Sequence, residues 1–153
     1  VITAGRRIND GMGKFVVEKT IKMLIANDLL VRSAKVLILG LTFKENVPDF
    51  RNSRVADIVR ELREYQMNVI AHDPYAEESH DLEEEFGLTS TALEKCREVD
   101  AVILAVAHRP YIKFSTEDLR KFFKKGARPI VVDIKGLYRH LQLAGQEFCY
   151  WQL

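Results

Sequence analysis

The sequence lacks the features that disulfide scaffolds, nucleic-acid binders and membrane proteins need. Its two cysteines, Cys96 and Cys149, are too few for a disulfide-stapled scaffold, and they lack the CxxC spacing of a cysteine zinc site. Its 23 basic and 22 acidic residues leave a net charge of +1, too small to attract nucleic acid or an anionic membrane. No apolar run approaches the roughly 20 residues that span a bilayer. We therefore expect a cytoplasmic protein without metal, nucleic-acid or membrane partners.

The start of the chain also lacks a signal-peptide pattern, and it opens on Val1 rather than methionine. We interpret it as a piece of a longer protein.

Apolar residues recur near the helical period over residues 7–30, which predicts one long amphipathic helix. Its apolar stripe is longer than a covering helix requires, and exposed stripes of that kind mark interfaces. The sequence therefore predicts at least a dimer through this helix.

Four short apolar runs are typical of strands that are buried on both faces of a sheet. They span residues 35–40, 68–73, 101–106 and 129–133. Helical patterns at 53–66, 91–97 and 116–125 lie between them and have the length of crossovers between parallel strands. A last apolar run at 147–151 predicts an edge strand, and Ser115 with the acids after it predicts a helix cap. The sequence thus predicts an α/β fold, a doubly wound Rossmann-like parallel sheet over residues 33–153, preceded by a long helix.

The loop that follows the first predicted strand, residues 40–53, carries most of the candidate binding residues. Ligands bind beyond the carboxyl ends of parallel strands, and this loop is long for a strand-to-helix connection. It lacks the GxGxxG fingerprint of dinucleotide-binding turns. Lys44 and Arg51 are suited to clamp a phosphate, the first as a point charge and the second as a bidentate fork. The alternative is that Asp49 pairs with one of them only to order the loop.

Two motifs in this loop make the sequence recognisable. Gly40-Leu-Thr-Phe-Lys44, followed by Asp49-Phe-Arg51-Asn-Ser53, resembles the C-terminal domain of the UDP-glucose/GDP-mannose dehydrogenase family, the nucleotide-sugar 6-dehydrogenases. Further matching segments follow in the family's order at residues 7–10, 72–74, 101–108 and 132–136. The segments at 101–108 and near 73–76 look most like the branch that acts on UDP-N-acetylhexosamines.

The resemblance implies a division of labour between this chain and a missing N-terminal part. Residues 1–32 would be the end of a central linking and dimerisation helix, and residues 33–153 the C-terminal UDP-binding domain. Family members use NAD to oxidise the sugar 6-hydroxyl to a carboxylate for polysaccharide precursors, and NAD binds mainly to their N-terminal domain. Their catalytic cysteine and lysine precede this chain. We therefore expect no catalytic residue here, no activity of this chain alone, and buried structural roles for Cys96 and Cys149.

The resemblance also implies roles for individual residues. Phe43, Lys44 and Lys135 match positions that contact the UDP-sugar, and Arg51 matches one that reaches the NAD. Lys14 is a candidate for a contact with the neighbouring subunit's site, in a segment that also holds Arg7 and Asn9.

Several alternatives stay open from the residues alone. His72 and His108 follow strands and either line the cleft or pack as strand caps. The acids between residues 77 and 85 are typical of a solvated helix face, and the basic run at 120–128 of a helix C-terminal end rather than an RNA site. Asp73 and Lys135 also suit a receiver-like signalling module, although the acidic pair such a module needs after its first strand is absent. A domain that serves only assembly, without its own ligand, is the third possibility.

Overall fold

The fold is seen in a computed structural model, which describes residues 2–76 and 82–153 and, in the first helix, the side chains from Gly11 onward. The acids at 77, 78 and 81 and the side chains of Arg7 and Asn9 lie outside the described residues. The helices are α1 Ile2–Ala26, α2 Val55–Glu64, α3 Leu82–Phe86, α4 Arg109–Ile112 and α5 Thr116–Arg120. The strands are β1 Lys35–Leu39, β2 Asn68–His72, β3 Ala101–Leu104, β4 Ile130–Asp133 and β5 Cys149–Gln152.

The five strands form one parallel sheet in the order β2-β1-β3-β4-β5. The prediction of a doubly wound Rossmann-like sheet is therefore confirmed, and the edge strand is present as β5. The chain runs outward from β1 to β2 and then returns to place β3 on the other side of β1. This reversal between β1 and β3 opens a crevice at the carboxyl ends of the strands, where open α/β sheets bind ligands.

Helices cover both faces of the sheet because β1 and β3 alternate their apolar side chains between two cores. Val36 and Ile38 face one core together with Ile58 of α2 and Leu24 of α1. Residues Leu37 and Leu39 face the other core, beside the helices α4 and α5. Helix α1 therefore packs directly onto the sheet domain through its C-terminal half.

Two predicted helices are shorter in the structure because long-range pairing interrupts them. The pattern at 91–97 forms only one 3₁₀ turn, Leu93–Lys95, since Ser90 just before it pairs with Ala71 of β2. The pattern at 116–125 ends at Arg120, since Phe123 extends to pair with Val99. Neither pairing partner is visible in the local apolar period.

The ends of the other helices follow local chemistry. Helix α1 stops at Ala26 rather than at residue 30, because the Asn27 side chain donates to the Met23 carbonyl and Asp28 takes a left-handed φ of 58°. Helix α5 begins with the predicted cap, a capping box in which Ser115 and Asp118 exchange hydrogen bonds.

The two cysteines differ in burial. Cys96 is completely buried, and burial raises the pKa of its thiol to about 11, opposed by the nearby Arg97 and Lys35 charges. Cys149 is only half-buried because it lies on the edge strand. The expected role as a small buried hydrophobe thus fits Cys96 fully and Cys149 in part.

Candidate functional site

A cleft of about 260 Å³ lies at the carboxyl edge of the sheet, at the crevice between β1 and β3. The loops after β1, β3 and β4 line it together with the start of α2 and Met12 of α1. Three residues predicted to contact a UDP-sugar, Phe43, Lys44 and Lys135, all line this one cleft. Arg54 lines it as well, a residue that the sequence analysis did not single out.

The loop that carries Phe43 and Lys44 leaves β1 through a glycine that no other residue can replace without strain. Gly40 has a φ of +95°, and a Cβ added there would lie 2.6 Å from the Cβ of Val106. The loop then closes on itself through a hydrogen bond from the Phe43 N–H to the Asp49 carbonyl (2.8 Å). As a result Lys44 is exposed and Phe43 presents 57% of its surface to solvent at the mouth of the cleft.

A buried carboxylate and a buried histidine hold this loop from below. Asp73 Oδ2 accepts hydrogen bonds from the N–H groups of Leu41 (2.7 Å) and Thr42 (3.3 Å), and His108 Nε2 lies 3.0 Å from the same oxygen. The Asn46 N–H donates to His108 Nδ1 (3.0 Å), so the neutral ring carries its proton on Nε2. The loop is thus held at two separate points, at Leu41 and Thr42 by the Asp73 carboxylate and at Asn46 by the His108 imidazole.

The environment of Asp73 keeps it ionised. Burial raises its pKa, but the hydrogen bonds from His108, Leu41 and Tyr75 outweigh burial and leave the pKa below its ordinary value. The side chain is fully buried and occupied by these donors. This arrangement argues against the receiver-like alternative, because a phosphoacceptor aspartate must be reachable by its phosphodonor.

His108 is a packed residue rather than a cleft-lining one, since it is completely buried. His72 is half-buried, and its Nδ1 lies 2.8 Å from the hydroxyl of Tyr111. Burial lowers the pKa of His72, partly opposed by the charge of Asp73. His108 is therefore a structural residue, whereas His72 both packs against Tyr111 and lines a larger cleft beyond β2.

Lys135 reaches the cleft from the loop after β4, about ninety residues from Lys44 in the sequence. Its Nζ lies 3.6 Å from Glu45 Oε1, so a carboxylate of the β1 loop faces it. The pKa of Glu45 is lowered, chiefly by a backbone hydrogen bond and further by Lys135, against a smaller opposing effect of burial. At neutral pH the cleft therefore has a cationic rim with one competing anion.

Two other candidates lie outside this cleft. Arg51 pairs with Asp49 (Nε to Oδ1, 3.3 Å), which is the loop-ordering contact that the sequence left open; the Arg51 side chain is largely exposed and that of Asp49 is half-buried. Lys14 lines a separate polar depression beside Asp57 and Glu61 of α2. Neither residue belongs to the lining of the cleft at the β1 and β3 ends.

A larger cleft of about 590 Å³ lies beyond β2, but its charge is wrong for an anion. Glu83 and Glu94 contribute to it, and no lysine or arginine of the described chain does.

Within residues 2–76 and 82–153 no cluster of three or more side chains suited to hold a metal ion occurs. In the same part of the chain, none of the helices combines the length and apolar character that crossing a membrane requires.

Sequence comparison identifies relatives of this chain. Residues 37–140 match the profile of the UDP-glucose/GDP-mannose dehydrogenase family, UDP binding domain. The chain is 43% identical over 137 residues to the UDP-N-acetyl-D-glucosamine 6-dehydrogenase of Pseudomonas aeruginosa, which covers 90% of this chain and 32% of that protein. It is 40% identical over 135 residues to the enzyme of the same name from Salmonella typhi, covering 88% of this chain and 31% of that protein. The chain thus spans about a third of the length of these relatives.

Solved structures share the fold. An NDP-N-acetyl-D-galactosaminuronic acid dehydrogenase from Methanosarcina mazei superposes with a TM-score of 0.85 at 22% identity, over 98% of this chain and 30% of that one. A UDP-glucose dehydrogenase from Pyrobaculum islandicum superposes with a TM-score of 0.63 at 27% identity, over 86% of this chain and 28% of that one.

Proposed function

Since the chain belongs to the UDP-glucose/GDP-mannose dehydrogenase family and contains its UDP binding domain, we propose that the cleft at the β1 and β3 ends holds the UDP part of a nucleotide sugar. The observation that carries this proposal is the convergence of Phe43, Lys44 and Lys135, from two distant loops, on one cleft. The similarity to enzymes named UDP-N-acetyl-D-glucosamine 6-dehydrogenase supports a UDP-N-acetylhexosamine as the sugar.

Each of the three side chains has a distinct task in this proposal. Lys44 and Lys135 are donors for the diphosphate, and charge-assisted hydrogen bonds of this kind contribute roughly 1.5–3 kcal/mol each. Phe43 offers an exposed aromatic face, on which a base or sugar ring can stack for roughly 1–3 kcal/mol. The cleft is somewhat smaller than a typical pocket of about 300–1,000 Å³, which supports a site for part of the ligand rather than all of it.

We propose that the longer protein oxidises the sugar 6-hydroxyl to a carboxylate, a four-electron oxidation that consumes two NAD. The task of this chain is then to fix the nucleotide so that the sugar C6 stays near the nicotinamide, and positioning of this kind contributes several kcal/mol to catalysis. Arg51 is the proposed contact to NAD from this chain, supported by its exposure and by its place outside the cleft lining. NAD itself would be bound mainly by the N-terminal part.

Calorimetric titration with UDP tests the site. Lys44→Ala should weaken UDP binding on the order of ten- to a hundredfold, because it removes one charge-assisted contact. Arg51→Ala should leave UDP affinity nearly unchanged and serves as the matched control from the same loop. Equal losses in both variants would mean that the loop acts as one phosphate clamp. Unchanged binding after Lys44→Ala would move the ligand away from this loop.

We also propose that this chain alone has no dehydrogenase activity. The burial and raised thiol pKa of Cys96 support an unreactive thiol at that position. NADH absorbance should stay flat with UDP-glucose, UDP-N-acetylglucosamine and UDP-N-acetylmannosamine. Steady turnover that depends on the protein, with any of these, would contradict the proposal.

The assembly proposal concerns α1, whose outer face exposes Phe15 (51%) and Ile25 (59%) after the inner face has packed on the sheet. We propose that residues 1–32 are a linking and dimerisation helix and that Lys14, on its surface, contributes to the neighbouring subunit's site. Light scattering should report at least a dimer, and Ile25→Glu should weaken it. A monomer at high micromolar concentration would exclude this interface.

A further inference from the structure

Arg54 is the cation of the cleft that no part of the sequence analysis assigned. It stands at the N-terminal boundary of α2, with helical φ and ψ of −69° and −16°, and its exposed side chain lines the same cleft as Lys44 and Lys135. We infer that Arg54 contacts the diphosphate of the bound nucleotide together with the two lysines. This inference rests on the function proposed above and names a further residue of that site.

The pairing of the neighbouring charges leaves Arg54 available. Arg60 on the same helix is held by Asp57 (2.9 Å), and Arg51 is held by Asp49 (3.3 Å). No carboxylate of the described chain lies within ion-pair distance of Arg54. Among the residues that the structure describes, the guanidinium of Arg54 therefore meets no competing carboxylate, and its fork of donors suits an anion in the cleft.

The Ser53 side chain fixes the position of the backbone next to Arg54. Its hydroxyl accepts a hydrogen bond from the Val55 N–H (3.2 Å) and donates to the Thr42 carbonyl (3.4 Å), so it ties the first turn of α2 to the loop of Phe43. The backbone of Arg54 is therefore tethered to the element that carries the other binding residues. Only its side chain needs to reorder when a ligand arrives, which keeps the entropic cost of binding low.

The charge balance of the cleft gives a second reason. Lys44, Arg54 and Lys135, opposed by Glu45, leave a formal charge of +2 at the rim. The diphosphate of a nucleotide sugar carries one negative charge on each phosphate, so the rim neutralises it only when Arg54 is counted.

Calorimetric titration of the chain with UDP, for the parent, Arg54→Ala, Arg54→Lys and Arg60→Ala, tests the inference. Arg54→Ala should weaken UDP binding about ten- to a hundredfold, Arg54→Lys by less, since it keeps the charge and loses the fork, and Arg60→Ala not at all. The thermal unfolding midpoint of Arg54→Ala should match the parent, because the side chain is exposed.

Competition by inorganic pyrophosphate identifies the group that Arg54 touches. The affinity for pyrophosphate should fall in Arg54→Ala by a factor similar to that for UDP. A loss for UDP without a loss for pyrophosphate would place Arg54 at the base or ribose and overturn the assignment. UDP binding of Arg54→Ala within twofold of the parent, while Lys44→Ala is weakened, would overturn the inference and leave the proposed function standing. No UDP binding by the parent would overturn both.

Discussion

Replacing Asp73 by asparagine should destabilise the protein far more than the loss of one charge suggests. Every group that faces the carboxylate is a hydrogen-bond donor. The N–H groups of Leu41 (2.7 Å), Thr42 (3.3 Å) and Tyr75 (2.8 Å) donate to it, and so does Nε2 of His108 (3.0 Å). The histidine cannot turn into an acceptor at this nitrogen, because its other nitrogen already accepts a backbone N–H. The site therefore requires an acceptor on both oxygens.

Asparagine supplies one carbonyl oxygen and one NH₂ group. Its NH₂ must face at least one of the buried donors, which then has no partner, and the remaining bonds lose their ionic character. A buried donor without a partner costs about 1–3 kcal/mol, and a bond to a charged group contributes about 1.5–3 kcal/mol. We expect Asp73→Asn to lower the free energy of unfolding at pH 7 by about 2–4 kcal/mol. Asp28→Asn is the matched control, because Asp28 is exposed in a left-handed turn that asparagine tolerates, and it should change stability by less than about 0.5 kcal/mol.

The pH dependence gives an independent check. The folded-state pKa of Asp73 lies below its ordinary value, so its stabilisation is complete above the unfolded pKa of about 3.9 and is lost as the pH falls through the folded-state pKa. The stability gap between the parent and Asp73→Asn should therefore be full at pH 7 and narrow below about pH 4. Urea unfolding at pH 7, 5 and 3 measures it. A gap below about 0.5 kcal/mol at pH 7, or one that stays constant with pH, would refute the reasoning.

Three further predictions concern single positions. Glu45→Gln should tighten UDP binding a few-fold in calorimetry, because it releases Lys135 from a competing carboxylate; weaker binding would contradict this. Gly40→Ala should lower the free energy of unfolding, measured in urea, by about 1–3 kcal/mol, since φ is +95° and the new Cβ would lie 2.6 Å from the Val106 side chain. The control Gly11→Ala should not destabilise the protein, because the space around Gly11 is open. Native Cys96, with a thiol pKa of about 11, should be alkylated at pH 8 much more slowly than in urea, and equal rates would disprove its burial.

The strands were predictable because each is specified locally. The apolar run at residues 35–40 ends on a glycine, and the structure has β1 at Lys35–Leu39 with Gly40 turning away at positive φ. The segment at 91–97 shows the opposite case. Its apolar spacing is helical, but Ser90 pairs with Ala71, a contact about twenty residues away, and only one 3₁₀ turn remains. The spacing of apolar residues within one segment does not reveal long-range pairing of this kind.

The same distinction applies to the candidate site. Phe43, Lys44 and Lys135 each follow a predicted strand. Because the carboxyl ends of parallel strands meet at one edge of the sheet, their common location could be predicted from the sequence. The direction of Arg54 depends instead on how α2 packs on the sheet and on Ser53, which no spacing rule encodes. The role of His108 as the support of the loop depends on contacts with residues more than thirty positions away.

The double attachment of the β1 loop to His108 and Asp73 has a consequence for how ligands meet this protein. Because buried partners already hold the backbone of this loop, the conformational entropy of the loop is lost when the protein folds and not when the ligand binds. The cleft is therefore preorganised, and recognition should follow rigid docking with a small heat-capacity change. Substitutions at His108 would then reduce affinity by loosening the loop, although the imidazole never meets the nucleotide.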